Sequence, residues 1–338
     1  MSTNSESLLV GVTMGDPAGI GPEITLRAVA HPEIRKACRP VIIGDKEFLK
    51  RLVGSVVPGE TVVDFERSTD RFDQVIEVFD LGNIPMAIIF GEETAAAGKA
   101  SAEYIEAAVK LWNNGTISAI ATAPISKKAI GIAGYNFPGH TEFLAYLTNT
   151  REFAMSFFAE KLCVVLLSTH VSLREAIGLV RTPAMIDLIR FSARELKKLL
   201  GRDVKLAVAG LNPHASEGGM FGDEENNEIV PAIERCKNDF GINVSGPYSP
   251  DTIFLRGFRG EFDGVIACYH DQATIAVKSL SFGSAVNVTL GLPLIRTSVD
   301  HGTAFDIAGK GVADSSSMRS AILLAQHLAS IQTSENVS

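Results

Sequence analysis

Cysteine is scarce. The chain has four in 338 residues, and none sits in a Cys-x-x-Cys pair. A disulfide framework or a cysteine-rich zinc module is therefore not expected. Cys38, Cys163, Cys236 and Cys268 are far apart, and Cys163 and Cys268 fall inside apolar runs where a free buried thiol is the ordinary reading. A reducing cytoplasm is the expected setting. Long apolar runs are missing as well, since no stretch approaches the roughly 18 residues of a membrane span. The start, "MSTNSESLLVGVTMGD", has no basic segment ahead of its apolar run, so no secretion signal is expected. Basic excess is absent too: 31 Lys and Arg stand against 39 Asp and Glu, for a net charge of -8. That balance argues against nucleic acid as a partner. No Gly-x-Ser-x-Gly elbow and no reactive-cysteine context occurs, which leaves acyl transfer without support. "MGDPAGIGPE", a glycine-rich strand-to-helix turn, is neither Gly-x-Gly-x-x-Gly nor a P-loop, and a tight turn is its default reading.

What is present is alternation. "LLVGVTM", "PVIIGD", "QVIEVFDL", "ISAIATAP", "KLCVVLLST", "KLAVAGL", "DGVIACY", "AVNVTLG" and "LIRTSVD" read as strands. Between them lie helical patterns such as "GKASAEYIEAAVKLWNNG" and "PAMIDLIRFSARELKKLLG". Strands apolar throughout, alternating with helices, indicate an α/β fold with a mostly parallel sheet covered on both faces. At 338 residues one large domain or two lobes can form. No linker composition marks a boundary, so two lobes are expected to share the sheet.

Three of the seven histidines follow such strands: His170 after "KLCVVLLST", His214 after "KLAVAGLNP" and His270 after "DGVIACY". Ligands of open α/β sheets sit at the carboxyl ends of strands. Three neutral imidazoles there suit a borderline divalent metal with positions left open for substrate. Taken singly, a strand-end histidine is more often a hydrogen-bonded loop residue; the shared placement of three favours a site. Asp271 is a candidate ligand or an orienter of the His270 ring, with a surface carboxylate as the plain alternative. In "FPGHTEFLA", His140 and Thr141 stand at a helix start, where free N–H groups suit an anion, although Thr141 could simply cap the helix. Lys278 follows the His270 loop, and Arg296 stands in a mostly apolar stretch where a charge needs a partner. Arginine suits bidentate recognition of carboxylate or phosphate.

Read together, "MGDPAGIGPE", "TAPISKKAI", "GHTEF", "STHVSLR", "GLNPHASEGGMFGDEE", "DTIF", "YHDQ" and "VNVTLGLPLIRTSVDHGTAFDIAGKG" resemble the 4-hydroxythreonine-4-phosphate dehydrogenase family over nearly the whole chain. "DHGTAFDIAGKG" also resembles a cofactor loop of isocitrate and isopropylmalate dehydrogenases. The resemblance implies a two-lobed α/β/α fold of that kind. One lobe is expected over 1–130 and 285–338 with the NAD loop, the other over 131–284 with the metal and substrate residues and the dimer contact. It implies His170, His214 and His270 as metal ligands. His140, Thr141, Lys278, Asn287 and Arg296 are implied as substrate contacts, and His301, Gly302, Thr303, Asp306 and Ile307 as residues near NAD. It also implies a homodimer with shared active sites. The activity implied is NAD-dependent oxidation, with decarboxylation, of a small 4-phosphorylated four-carbon hydroxy acid, as in pyridoxal phosphate biosynthesis. NADP is the alternative cofactor, and Zn, Co, Mn or Mg the metal, one per site. Asp251, Asp271 and Lys278 are the candidate general bases. "MGDPAGIGPE", "YNFPGHTE" and "FGDEE" are more similar to a sister branch that oxidises 4-phospho-D-threonate or 4-phospho-D-erythronate. Two other classes stay open on the residues alone: a metal-dependent hydrolase, since three histidines on an ion can activate water, and a non-catalytic binding protein.

Overall fold

A computed structural model describes residues 8–66, 74–85, 88–281 and 284–335. The elements run β1 (Leu9–Thr13), α1 (Gly21–Ala30), α2 (Pro32–Ala37), β2 (Arg39–Gly44), α3 (Lys46–Val56), β3 (Thr61–Asp64), β4 (Val75–Asp80), α4 (Ala95–Asn113), β5 (Ala119–Thr122), α5 (Lys127–Ile132) and α6 (His140–Leu147). Then follow β6 (Ala154–Ala159), β7 (Leu162–Leu166), α7 (Leu173–Leu179), α8 (Thr182–Leu200), β8 (Leu206–Ala209), α9 (Val230–Phe240), β9 (Val244–Tyr248), α10 (Pro250–Phe258), β10 (Gly264–Ala267), α11 (His270–Ser281) and β11 (Val286–Leu290). The chain ends with β12 (Ile295–Ser298) and α12 (Ser316–Glu335).

Local chemistry explains the helix starts. Asp45 caps α3 by accepting from the Phe48 N–H, Thr94 caps α4 and Ser126 caps α5. Ser172 and Glu175 form a reciprocal capping box on α7. Helices α8 and α9 stop at Gly201 and Gly241, both left-handed, where glycine carries no Cβ penalty.

Two compact units result, Met1–Glu152 with Leu292–Ser330 and Phe153–Gly291 with Ile331–Ser338. These bounds differ from the lobes expected at 130/131 and 284/285. Helix α6 packs on α4, which carries His140 and Thr141 into the first unit, while β11 pairs with β6 and carries Asn287 into the second.

In the first unit the strand order is β3-β4-β2-β1-β5-β12, and the pairs are parallel. Strand β5 is buried at every residue, as a strand covered on both faces must be. Thr13 of β1, Thr122 of β5 and Ser298 of β12 stand in register, so the turns after these strands leave from one end of the sheet. In the second unit the order is β11-β6-β7-β10-β8-β9. The β11, β6 and β7 contacts are antiparallel, and β7, β10, β8 and β9 run parallel. The core here joins Leu162 and Val164 of β7, Val265 of β10, Ile253 and Phe254 of α10, and Val277 of α11. Each such side chain contributes roughly 1.5–3 kcal/mol on full burial. The three adjacent parallel strands β7, β10 and β8 end at Leu166, Ala267 and Ala209, and the three singled-out histidines follow them within a few residues.

Candidate active site

In the second unit the rings of His170 and His270 stand 5.7 Å apart, centroid to centroid, tilted by 43°. Two imidazoles sharing a cation at about 2.0–2.1 Å have centroids about 5 Å apart, so this pair fits a divalent metal. His270 Nδ1 lies 2.8 Å from Asp271 Oδ1, a contact that orients the ring and, with the proton on Nδ1, leaves the Nε2 lone pair free for a metal. A cavity of about 210 Å³ beside the pair is lined by His170, Val171, Leu173, Tyr269, His270 and Asp271. The Cys268 thiol is buried and turned to the Ala209 carbonyl at 3.5 Å, and burial pushes its pKa up to about 12.

His214 departs from the expected gathering. Its ring lies 6.3 Å from that of Phe221. Among the described residues no group of three or more His, Cys, Asp or Glu side chains is placed to hold a metal ion. The structure thus brings together two of the three expected ligands. The backbone after β8 is unusual at this point. His214, Ala215, Ser216 and Glu217 have φ of 52°, 51°, 69° and 45°, and Gly218 follows at 71°. A run of non-glycine residues in the left-handed region costs roughly 1–2 kcal/mol per residue and persists only where neighbours enforce it.

The remaining second-unit candidates are more exposed. Asp251 on α10 accepts from the Ser249 hydroxyl at 2.5 Å. Lys278 is exposed on α11. Asn287 on β11 is half-buried, and its Oδ1 is sealed from solvent without a hydrogen-bond partner. A sealed carbonyl of this kind is costly unless a donor reaches it.

The first unit carries an anion-binding set. Arg296 of β12 is 4% exposed and donates from Nε and Nη2 to Thr122 Oγ1 at 3.1 and 2.8 Å. Burial lowers its pKa to about 10, opposed by the Glu142 carboxylate, so the guanidinium stays charged at neutral pH. Burial and the Arg296 charge hold the His140 imidazole well below its usual range, so it is neutral there. His140 Nε2 is enclosed and without a partner. His140 and Thr141 open α6, whose first N–H groups are free of intrahelical partners. A buried guanidinium, an unengaged imidazole nitrogen and a helix start together suit a phosphate or carboxylate.

Sequence reasoning missed Asp16 in the "MGDP" turn. It is 0% exposed. Its Oδ1 accepts from the Ala18 N–H at 2.9 Å, and its Oδ2 is sealed without a partner. Burial raises this carboxyl to about 6, and the nearby Glu93 adds to the rise. Only the Asp-Pro turn signal marked it, and that reads as ordinary turn chemistry. The same turn has another task. A Cβ on Gly19 would stand 2.9 Å from the Thr303 carbonyl oxygen, and the Ile20 N–H donates to that oxygen at 3.0 Å. At Gly91, where φ is 84°, a Cβ would likewise stand 3.1 Å from the Phe305 carbonyl oxygen. The glycines thus let the 301–311 loop dock closely.

On that loop His301 Nδ1 is 3.0 Å from the Gly302 carbonyl oxygen, and Gly302 faces open space. Thr303 and Ile307 are half-buried, and Asp306 presents an exposed carboxylate. Open backbone beside an exposed acid fits the hydroxyls of a dinucleotide ribose. Pro22, Glu23, Leu52, Phe90, Gly309 and Lys310 line a cavity of about 240 Å³ against the loop.

The chain is similar to known proteins over nearly its whole length. The chain is 45% identical over 326 residues to a D-threonate 4-phosphate dehydrogenase of Cupriavidus necator, covering 95% of this chain and 97% of the relative. It is 44% identical over 320 residues to a 4-hydroxythreonine-4-phosphate dehydrogenase of Desulfosudis oleivorans, covering 94% and 95%. The crystal structure of a 4-hydroxythreonine-4-phosphate dehydrogenase from Klebsiella pneumoniae superposes with a TM-score of 0.88 at 41% identity, over 96% of this chain and all of that one. The mostly parallel α/β scaffold and these relatives define an enzyme of a dehydrogenase class. Residues 36–325 match the family described as Pyridoxal phosphate biosynthetic protein PdxA, and the chain belongs to that family.

Proposed function

We propose that the protein oxidises a 4-phosphorylated four-carbon hydroxy acid at its C3 hydroxyl, with NAD and one divalent metal, in a homodimer with shared sites. When bound, NAD would accept the hydride from C3 and the metal would act as Lewis acid on the C3 oxygen. Arg296, His140 and Thr141 would bind an anionic end of the substrate. Neutral His140 serves as a hydrogen-bonding partner without adding a second cation beside Arg296. Lys278 would offer a further cation, and the unsatisfied Asn287 Oδ1 would accept from a substrate hydroxyl or amine. His170, His214 and His270 would hold the metal, with Asp271 fixing the His270 tautomer. One of Asp251, Asp271 or Lys278 would take the hydroxyl proton. Loss of the C1 carboxyl as CO2 would then follow from the β-keto acid, whose ketone accepts the electron pair. Asp306, His301 and the open Gly302 backbone would lie along the cofactor.

The carrying observation is the enclosed Arg296–His140 pair in a chain of this dehydrogenase family. The relative from Cupriavidus necator and the "YNFPGHTE" and "FGDEE" segments support D-threonate 4-phosphate over 4-hydroxythreonine 4-phosphate as the acid. The two acids differ at C2, hydroxyl against amine. Purified protein is given each acid with NAD or NADP and with Zn, Co, Mn or Mg, and reduced cofactor is followed by absorbance. D-threonate 4-phosphate with NAD is expected to give the larger kcat/KM. Release of inorganic phosphate without reduced cofactor would instead mark a hydrolase.

A further inference from the structure

The turns that carry the three strand-end histidines are joined by a buried polar chain. Gln272, 8% exposed, accepts from the Cys268 N–H at Oε1 and donates from Nε2 to the Gly210 carbonyl, both at 2.7 Å. Cys268 directly follows β10, the strand that leads to His270, and Gly210 directly follows β8, the strand that leads to His214. Ser168, two residues before His170, donates to the Cys268 carbonyl at 3.1 Å. On the far side Gly210 is pressed against the left-handed run: a Cβ there would lie 2.8 Å from Ala215 Cα and 3.1 Å from Glu225 Oε1. Glu225 is 1% exposed. Its Oε1 accepts from the Asn212 N–H at 2.7 Å and its Oε2 from Asn212 Nδ2 at 2.8 Å. The Asn212 carbonyl in turn accepts from the Ala215 N–H at 3.1 Å. Asn212 is thus held at both its donors, and the turn bearing His214 is closed onto it. Glu225 opens a π-helical turn, Glu225–Ile229, a rare feature that often accompanies functional sites.

We infer that Gln272 and Glu225 are positioning residues that set the His270 and His214 turns against one another, with Ser168 extending the same strut to the His170 turn. The inference rests on the proposed metal site. The His214 turn is also held locally, by Glu224 Oε2 accepting from Asn212 Nδ2 and by Ser216 Oγ accepting from the Gly219 N–H, each at 2.7 Å, while Gln272 links it to the His270 turn. Partners that orient metal-binding histidines typically change affinity 10–100-fold when lost.

The test uses the full-length chain freed of metal, as wild type, Glu225→Gln, Gln272→Met and the milder Ser168→Ala. Two readouts are taken: amide hydrogen exchange over residues 210–222, and cobalt(II) titration followed by its visible absorption. Glu225→Gln turns one acceptor into a donor facing Asn212, and Gln272→Met keeps the shape without the bonds. Both are expected to speed exchange over 210–222 at least ten-fold, to weaken cobalt about ten-fold or more, and to alter its spectrum. If Glu225→Gln fails to fold, Gln272→Met and Ser168→Ala, which remove neutral bonds only, decide the matter by the same readouts. Unchanged exchange and unchanged cobalt affinity in the folded variants overturn the inference, as does faster exchange with wild-type cobalt binding. A wild type that takes up no cobalt, while the variants exchange faster, removes the metal reading and leaves the strut as a device for the His214 turn.

Discussion

Replacing Asp16 by Asn isolates a buried charge that the folded chain tolerates at a cost. The carboxyl rises from 3.8 to about 6 through burial. A carboxyl whose folded value lies above its unfolded value binds more protons when folded, in the window between about pH 4 and 6. Its contribution is neutral below that window, and destabilisation grows as pH rises through it and is complete above about pH 6. At about 1.4 kcal/mol per pH unit, that rise amounts to about 3 kcal/mol. Asn keeps the acceptor for the Ala18 N–H and carries no charge. The variant should therefore be more stable than wild type by about 3 kcal/mol at pH 8 and by only about 1 kcal/mol at pH 4.5. For a unit of this size that is roughly 6–12 °C in melting temperature. Melting curves of both proteins from pH 4.5 to 8 supply the assay. A gap independent of pH would refute the reasoning, because the Asp16 charge would then carry no cost. A gap widening towards acid would refute it too, since the anion would then be the stabilised form.

Arg296→Lys keeps a charge but loses the forked donors on Thr122 and the substrate; charge-assisted bonds at about 1.5–3 kcal/mol predict kcat/KM lower by roughly 10–100-fold with the fold intact by circular dichroism. His140→Gln removes an imidazole that is held neutral; a depressed folded pKa means stability is lost as pH falls below about 6.5, so the wild type should lose more melting temperature than the variant between pH 7.5 and 5.5. Asp271→Asn weakens the partner of His270 Nδ1 and should raise the dissociation constant for a divalent metal about 10–100-fold by calorimetry. Chelation should abolish turnover and added metal restore it, whereas undiminished turnover after exhaustive chelation would remove the metal from the reaction.

Much of the scaffold was legible because burial leaves a periodic trace. Strands such as β5 and β10, covered on both faces, are uniformly apolar, and the helices between them carry ordinary caps. The antiparallel β6 was not legible: "AMSFFA" opens polar-poor and short beside β7, and pairing direction leaves no mark on side-chain pattern. Asn287, His140 and Arg296 could be named from motifs, yet their roles as enclosed groups depend on what packs over them. The lobe boundaries slipped because α6 chooses its unit by contact with α4, a long-range event. Placement after a strand suggested that His214 joins the other two histidines; in the fold it stands on a left-handed run tied through Asn212 to Glu225, which lies eleven residues on and looks in sequence like one more acid in "FGDEE".

Several of the places where this chain departs from the rules of stable folding lie near its candidate site residues. Asp16 Oδ2, His140 Nε2 and Asn287 Oδ1 are sealed without partners, and residues 214–217 sit in a disfavoured backbone region. Asp16, His140 and the 214–217 run belong to turns that leave the carboxyl ends of parallel strands or to helix starts close by; Asn287 lies within β11. The hydrophobic cluster of the second unit joins aliphatic and aromatic side chains, and the buried Glu225 carboxylate is paired with Asn212. Natural proteins break local rules chiefly where function requires it, and compensate elsewhere. A protein selected only for stability would remove Asp16 by a single substitution. A buried carboxylate in the turn that docks the 301–311 loop is accounted for if it acts on something the loop holds, and on that reading the stabilised Asp16→Asn protein is expected to be the less active one.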